Sequence, residues 1–288
     1  MRRAPVESRV LLNDVEIALW EWPGEGRPVL FCHAAGFHGR IWEQVVARLG
    51  ERRCFAFDAR GHGLSSKPPP PYAWRDFGAE AAAVAGALGL SGALGVGHSL
   101  GGHAVTLGSA LRPSAFAGLL LIDPVIRSID QYAGPSTKFQ FVRKRRNRWT
   151  SSEEMFESLA SRPPFDAWDR GVLHDYCQYG LVPAGDDYGA DCILACPPDI
   201  EASIYAAGTA VESNIYPEIR TIPIPVRVVR GGRFRDPANV MGSSPTAPNL
   251  AASFTHGVDT CLPEHSHFIP MGSPELMAKL IADSLSLL

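Results

Sequence analysis

From Ala81 to Leu111 the chain carries no Asp, Glu, Lys or Arg. An uncharged run of that length belongs either in lipid or in the interior of a folded protein. Ala and Gly make up most of it, Ser91-Gly92 breaks it, and it holds His98, Ser99 and His103. It therefore reads as helix, strand, turn and helix inside a core, and no membrane span is expected. A chain that buries such a segment needs apolar layers on both sides of it. With 288 residues, 45% apolar and 20% charged, the chain can supply them, and a disordered chain is excluded.

The remaining apolar runs say how those layers are arranged. Strands are predicted at Arg9–Leu12, Glu16–Trp20, Val29–Cys32, Cys54–Phe57, Ala93–Val96, Gly118–Ile122, Val226–Val229 and Val258–Leu262. Several are continuously apolar, as in strands covered on both faces. Helical spacing separates many of them. Phe77, Ala81, Val84 and Leu88 form one stripe, and Met277, Leu280, Ile281, Leu285 and Leu288 another, the second with Ser273 as its expected N-cap and Pro274 at its first position. The fold class is α/β: a mostly parallel central sheet with helices on both faces.

The alternation stops between about Val125 and Arg220. This stretch holds the basic run Arg143-Lys144-Arg145-Arg146, a capping-box pattern from Ser151 to Glu154, Pro163-Pro164, a helical pattern near Arg170–Tyr179, a polar Gly-Asp loop, and Cys196-Pro197-Pro198 before a further helix. The expected organisation is a core of residues 1–124 and 221–288, with an inserted, mostly helical cap at 125–220. The basic run is read as a solvated start to that insertion, because a formal net charge of −3 argues against nucleic acid as a partner. Met1-Arg2-Arg3-Ala4-Pro5 leads into polar sequence with no apolar stretch behind it, so a cytoplasmic location with reduced cysteines is expected. Cys192 and Cys196 have a loose metal-like spacing but no second pair nearby, and neither a metal nor a cofactor is expected.

The chemistry concentrates at two turns. Gly97-His98-Ser99-Leu100-Gly101-Gly102 follows a predicted strand and opens a predicted helix. A serine on so sharp a turn projects outward, and glycines on either side let the backbone close. Free N–H groups at the helix start favour an anion there. The same turn has some likeness to a dinucleotide-binding loop, with Asp123 as the ribose acid, but its third glycine comes one residue late for that pattern. His265-Ser266-His267-Phe268 lies between the last strand and the last helix, at the sheet end where a parallel fold collects reactive groups. His267 is preferred over His265 as the partner of Ser99.

These features together resemble the α/β-hydrolase superfamily over nearly the whole chain. Phe31-Cys32-His33-Ala34-Ala35-Gly36-Phe37, with Trp42 nearby, is similar to its oxyanion loop. Asp58-Ala59-Arg60-Gly61-His62-Gly63-Leu64-Ser65 is similar to its conserved turn, and the Ser99 elbow and His267-Phe268 complete the order. The resemblance implies that Ser99 attacks a carbonyl carbon, that His267 moves the proton, and that the main-chain N–H groups of Ala35 and Leu100 hold the oxyanion. Arg60 to Gly63 are expected to shape a tight loop.

The acid has two candidates. Many relatives carry Gly-x-x-Asp after the strand that here is Val226–Val229, but counting from Gly231 puts Phe234 at that place and Asp236 two residues late. Leu121-Ile122-Asp123-Pro124 has the form of the other placement, and Asp123 is favoured over Asp236. The implied activity is a serine hydrolase of a carboxylic ester or lactone acting on a small-molecule substrate. Carbon–carbon or amide hydrolysis on the same residues is the variant, and a small-molecule receptor that keeps the pocket without turnover is the competing class. Phe37, Trp42, Tyr132, Phe139, Trp168 and Tyr205 are the candidate pocket residues.

Overall fold

The computed structural model describes residues 4–185, 192–232 and 242–288. Its centre is an eight-stranded sheet in the order β1-β2-β4-β3-β5-β6-β10-β11. The strands are β1 (Val6–Leu12), β2 (Val15–Trp22), β3 (Glu25–Cys32), β4 (Arg52–Phe57), β5 (Ala93–His98), β6 (Phe116–Ile122), β10 (Val226–Gly231) and β11 (Gly257–Leu262). β1 and β2 form an antiparallel hairpin, β2 runs antiparallel to β4, and the pairings from β4 through β11 are parallel. Every strand read from the sequence is present, most of them extended by a few residues.

Each face carries its own apolar layer. On one side α2 (Trp74–Ala87) and α3 (Leu100–Leu111) pack on the sheet and on each other. Close approach requires Gly78, where an added Cβ would sit 2.5 Å from the Leu107 side chain. On the other side α1 (Glu43–Val46) and α9 (Pro274–Ser286) cover the sheet, with Met277, Leu280 and Ile281 buried. Fully burying side chains of this size is worth about 1.5–3 kcal/mol each, so the charge-free run is held in place by two layers of core. Ser273 precedes α9 as expected, but its hydroxyl makes no cap bond and instead meets His265 Nε2 at 3.2 Å.

Between β6 and β10 the chain leaves the sheet. It forms α4 (Ser152–Leu159), α5 (Arg170–Tyr179), α6 (Pro198–Ala207) and α7 (Tyr216–Ile219). It also forms a three-stranded antiparallel sheet of β7 (Arg148–Trp149), β8 (Leu181–Pro183) and β9 (Cys192–Leu194), in the order β7-β9-β8. The small sheet was not anticipated, because strands of two or three residues carry no readable period. Ser151 accepts the Glu154 N–H at 3.1 Å, while Glu154 Oε2 accepts the N–H of Thr150, one residue before the cap. The helix α8 (Ile269–Gly272) completes the set near the C-terminus. No helix among the described residues is long and apolar enough to cross a membrane.

Candidate active site

Ser99 joins β5 directly to α3 with φ +57° and ψ −116°, a left-handed conformation that costs a non-glycine residue energy. The turn closes only because its neighbours are small. A Cβ on Gly97 would lie 2.3 Å from the Gly101 carbonyl oxygen, and one on Gly101 would lie 2.1 Å from that of Cys32. Asp123, at the end of β6, also has positive φ, +42°. Two of the three non-glycine residues at positive φ among those described are thus Ser99 and Asp123.

The geometry at the carboxyl end of the sheet is a single hydrogen-bonded line. His267 Nε2 lies 3.0 Å from Ser99 Oγ, and His267 Nδ1 lies 2.7 Å from Asp123 Oδ2. With Nδ1–H donating to the carboxylate, Nε2 is left as an acceptor facing the serine hydroxyl. Asp123 is fully buried and its other oxygen, Oδ1, accepts from Gly231 N–H at 3.2 Å, Ser244 Oγ at 2.5 Å and Thr246 Oγ1 at 3.2 Å. A carboxylate so deeply buried needs that many donors. Ser244 and Thr246 escaped the sequence reading; a Ser/Thr-rich loop beside a sheet end carries no signal of its target.

Three other histidines brace this line. His98 donates from Nε2 to the His267 carbonyl at 2.9 Å, and the two rings lie 4.9 Å apart. Burial, then the nearby His267, holds His98 well below the usual imidazole range, so it stays neutral. His33 donates from Nδ1 to Ala34 O and accepts the Ala59 N–H at Nε2, at 2.7 and 3.0 Å. His62 donates from Nδ1 to Arg60 O and accepts the Gly36 N–H at Nε2, at 2.9 and 3.0 Å. The loop carrying Ala35 and the turn carrying His62 are therefore stitched to each other by two imidazoles. Burial lowers both pKa values and keeps the accepting nitrogens unprotonated. Asp58 completes the turn by accepting from Gly39 N–H at 2.6 Å and Leu64 N–H at 2.8 Å, and Arg60 pairs with Asp76 and Glu80. Arg60 to Gly63 thus have a structural role, as the motif implied.

Ser99 and His267 open into a small compartment of about 60 Å³, whose walls include Ala35, Leu100, Phe139 and Tyr205. A larger cavity of about 300 Å³ continues beyond it and shares Ala35, Phe37, Tyr205 and Phe268 with it. Leu100 is the first residue of α3, a position whose N–H has no partner inside the helix. Phe37 and Trp168 stack in the larger cavity at 5.8 Å, and Phe139 stacks on Tyr205 at 5.1 Å.

Two expected pocket residues are elsewhere. Trp42 is buried against Phe31, with ring centroids 4.9 Å apart, in the core under the sheet. Tyr132 is buried too, and its hydroxyl accepts the Arg127 N–H at 3.1 Å, so it ties a loop together. Aromatic residues fill cores as readily as pockets, and spacing does not separate the two uses. His265 faces Ser273, away from Ser99. Asp236 lies outside the described residues, as do Asp186 to Asp191 of the polar loop. The basic run is a further correction. Arg143 and Arg146 are exposed and pair with Asp199 and Glu154, Arg146 also bordering the larger cavity as Arg162 does, and Arg145 turns inward to line it, bonded to Glu201 and to Tyr176. Glu201 could have been suspected, because it shares the buried face of α6 with Ile200 and Ile204.

The sequence model of the group described as the alpha/beta hydrolase family matches residues 29–280. The 2-(acetamidomethylene)succinate hydrolase of Mesorhizobium japonicum is 25% identical over 96% of this chain and 94% of its own. The crystal structure of E-2-(acetamidomethylene)succinate hydrolase superimposes with a TM-score of 0.76 at 22% identity, covering 98% of this chain and 99% of that one. The enol-lactonase of Burkholderia xenovorans gives a TM-score of 0.70 at 17% identity, over 97% of this chain and 100% of the other.

Proposed function

The chain belongs to the α/β hydrolase family, and within that family we propose that it is a serine hydrolase cleaving a carboxylic ester or lactone through an acyl-enzyme. The observation that carries this reading is the line Asp123–His267–Ser99, with bonds of 2.7 and 3.0 Å. Ser99 Oγ attacks the carbonyl carbon as its proton passes to His267 Nε2. Asp123 holds the ring in the tautomer that can accept that proton and stabilises the imidazolium. The carbonyl oxygen takes up the negative charge and is held by the Leu100 and Ala35 N–H groups. Collapse expels the alkoxide, which receives the proton from His267. Water then repeats the sequence on the acyl-serine, restoring the serine and releasing the acid.

Residues 125–220 act as a cap whose inner wall sets which acyl group fits. A second reading is hydrolysis of an amide by the same steps with an amine as leaving group. What favours it is the full-length match to a hydrolase whose name contains an acetamido group. A panel of matched aryl esters, lactones and anilides of one acyl series separates the two. The expected result is an initial burst of alcohol equal to the enzyme present with the esters and slower turnover of the anilides. No ester or lactone turnover alongside anilide turnover would replace the first reading by the second.

A further inference from the structure

The larger cavity is walled mainly by rings, yet cations outnumber anions around it. Its lining includes Arg145, Arg146 and Arg162 against a single acidic residue, Glu201. Glu201 is already engaged: Arg145 Nη1 donates to its Oε2, and Arg145 Nη2 donates to the Tyr176 hydroxyl at 2.8 Å. The other Glu201 oxygen faces the loop that carries Ala35, since a Cβ on Gly36 would sit 2.5 Å from Oε1. Arg146 pairs with Glu154 and lies over the Trp149 ring, 3.9 Å from its centroid. Arg162 has no anionic partner among the described residues. It is exposed as well as lining the cavity, so it stands where the cavity meets solvent. Arg145 keeps N–H groups beyond those in its bonds to Glu201 and Tyr176.

We propose that the larger cavity is a carboxylate subsite, which takes a substrate arm that crosses the ring-lined wall and ends in a carboxylate on Arg162. The proposal rests on the reading of Ser99 as the nucleophile of a hydrolase. It names that enzyme's substrate class: an ester or lactone that carries a second, free acid group. Moving a carboxylate out of water is costly unless a cation meets it. Here that cost is held down in several ways. Arg162 is unpaired, so no existing ion pair has to break. It stands at the solvent end, so the carboxylate keeps part of its hydration. A planar guanidinium can receive both carboxylate oxygens at once, the stronger form of charge-assisted hydrogen bond. The apolar walls leave the field of the excess cation less screened than on an open surface. The two acids near the site do not oppose the ligand as free anions, because Glu201 is compensated by Arg145 and Glu154 by Arg146. A neutral amide in the same place gains hydrogen bonds but no charge attraction. One substrate can span the distance to the nucleophile, because the compartment at Ser99 shares Ala35, Phe37, Tyr205 and Phe268 with the larger cavity. Phe165 supplies an apolar stretch of the path, its ring 4.8 Å from Trp168 and 5.8 Å from Tyr176.

Two ligands of nearly equal shape test this, 3-phenylpropanoate and 3-phenylpropanamide, titrated calorimetrically near neutral pH into the Ser99→Ala protein, which cannot turn the amide over. The carboxylate is expected to bind at least about tenfold more tightly at low salt, a difference of one decade in Kd. The preference should shrink as added potassium chloride screens the pair. Arg162→Gln on the same background should cut it to less than about threefold. Arg162 is exposed, so this change leaves the core untouched. Equal or tighter binding of the amide, or no binding of the carboxylate up to about 10 mM, would overturn the proposal. So would a preference that survives Arg162→Gln, which would put the carboxylate at the Ala35 and Leu100 N–H groups instead. Equal weakening of both ligands by Arg162→Gln would reduce Arg162 to a structural role and overturn it as well. Labelling of wild-type Ser99 by a fluorophosphonate keeps the two readings apart. Labelled serine with no carboxylate preference overturns the subsite alone; unlabelled serine with the preference overturns the hydrolytic reading alone.

Discussion

The carboxyl end of the central sheet and the segment from 125 to 220 are built on different principles. At the sheet end, position is dictated by the main chain. Ser99 and Asp123 are forced into left-handed conformations at strand ends, and glycines at 97 and 101 leave room for nothing else. The histidines around them bond to backbone groups: His98 to His267 O, His33 to Ala59 N–H, His62 to Gly36 N–H. In the inserted segment, position is dictated by side chains meeting across long sequence separations. Arg145 reaches Glu201 and Tyr176, Trp168 reaches Phe37, and Phe139 reaches Tyr205. Chemistry that must be held within tenths of an ångström rests on the backbone. On the proposed reading, selectivity is left to the side chains of that segment, which substitution can retune without loss of the reaction.

The comparison predicts where damage is greatest. Asp123→Asn should lower kcat by about 10³–10⁴, because the amide can hold His267 in the wrong tautomer and supplies no charge to the imidazolium. Ester binding should change little, and steady-state kinetics with an inhibition constant for a product acid would show the split. If kcat falls less than about tenfold, the backbone-held line at the sheet end is not the catalytic apparatus.

A smaller effect sharpens the comparison through pH. His38 and His103 are pushed down to about 4 by burial, and burial lowers His33, His62 and His98 as well. The unfolded chain takes up protons on all five rings below about 6.5, whereas in the folded chain His38 and His103 resist until about 4 and the other three are held down in the same direction. More protons bound by the unfolded state means that stability is fully present above that unfolded value and is lost as pH falls toward the folded one. Melting temperature should therefore drop steadily from about pH 7 to about pH 4.5. A flat profile over that window would mean that the braces are not buried neutral histidines. Smallest of all is the effect expected for Asp236→Asn, a change in kcat within about threefold, since the carboxylate position beside His267 is already filled by Asp123. A loss as large as that expected for Asp123→Asn would transfer the acid's role to Asp236.

The same contrast explains what could be read from the sequence. The strands, the elbow at Ser99 and the histidine loop are local patterns: a continuous apolar run, glycines at fixed offsets, a loop after the last strand. Asp123 was legible only through the resemblance to the superfamily, which implies an acid after this strand, where Leu121-Ile122-Asp123-Pro124 stands. Ser244, Thr246 and Glu201 act on partners more than 50 residues away, and nothing in their own neighbourhoods names those partners. Arg145 was misread for the same reason. In a run of four basic residues nothing local marks the one that turns inward, and the mark lies on α6, where Glu201 sits on a buried face. Trp42 and Tyr132 failed as pocket residues because an aromatic side chain serves a core and a cavity wall equally well.

The most direct test of the account is the site and rate of covalent capture. Purified protein is treated with a fluorophosphonate, and the adduct is located by peptide mass spectrometry in the wild type, Ser99→Ala and His267→Ala. The account predicts one adduct per chain, on Ser99, absent in Ser99→Ala and formed at least about a hundredfold more slowly in His267→Ala, where the proton acceptor is gone. An adduct on any other residue, or an undiminished rate without His267, would contradict it.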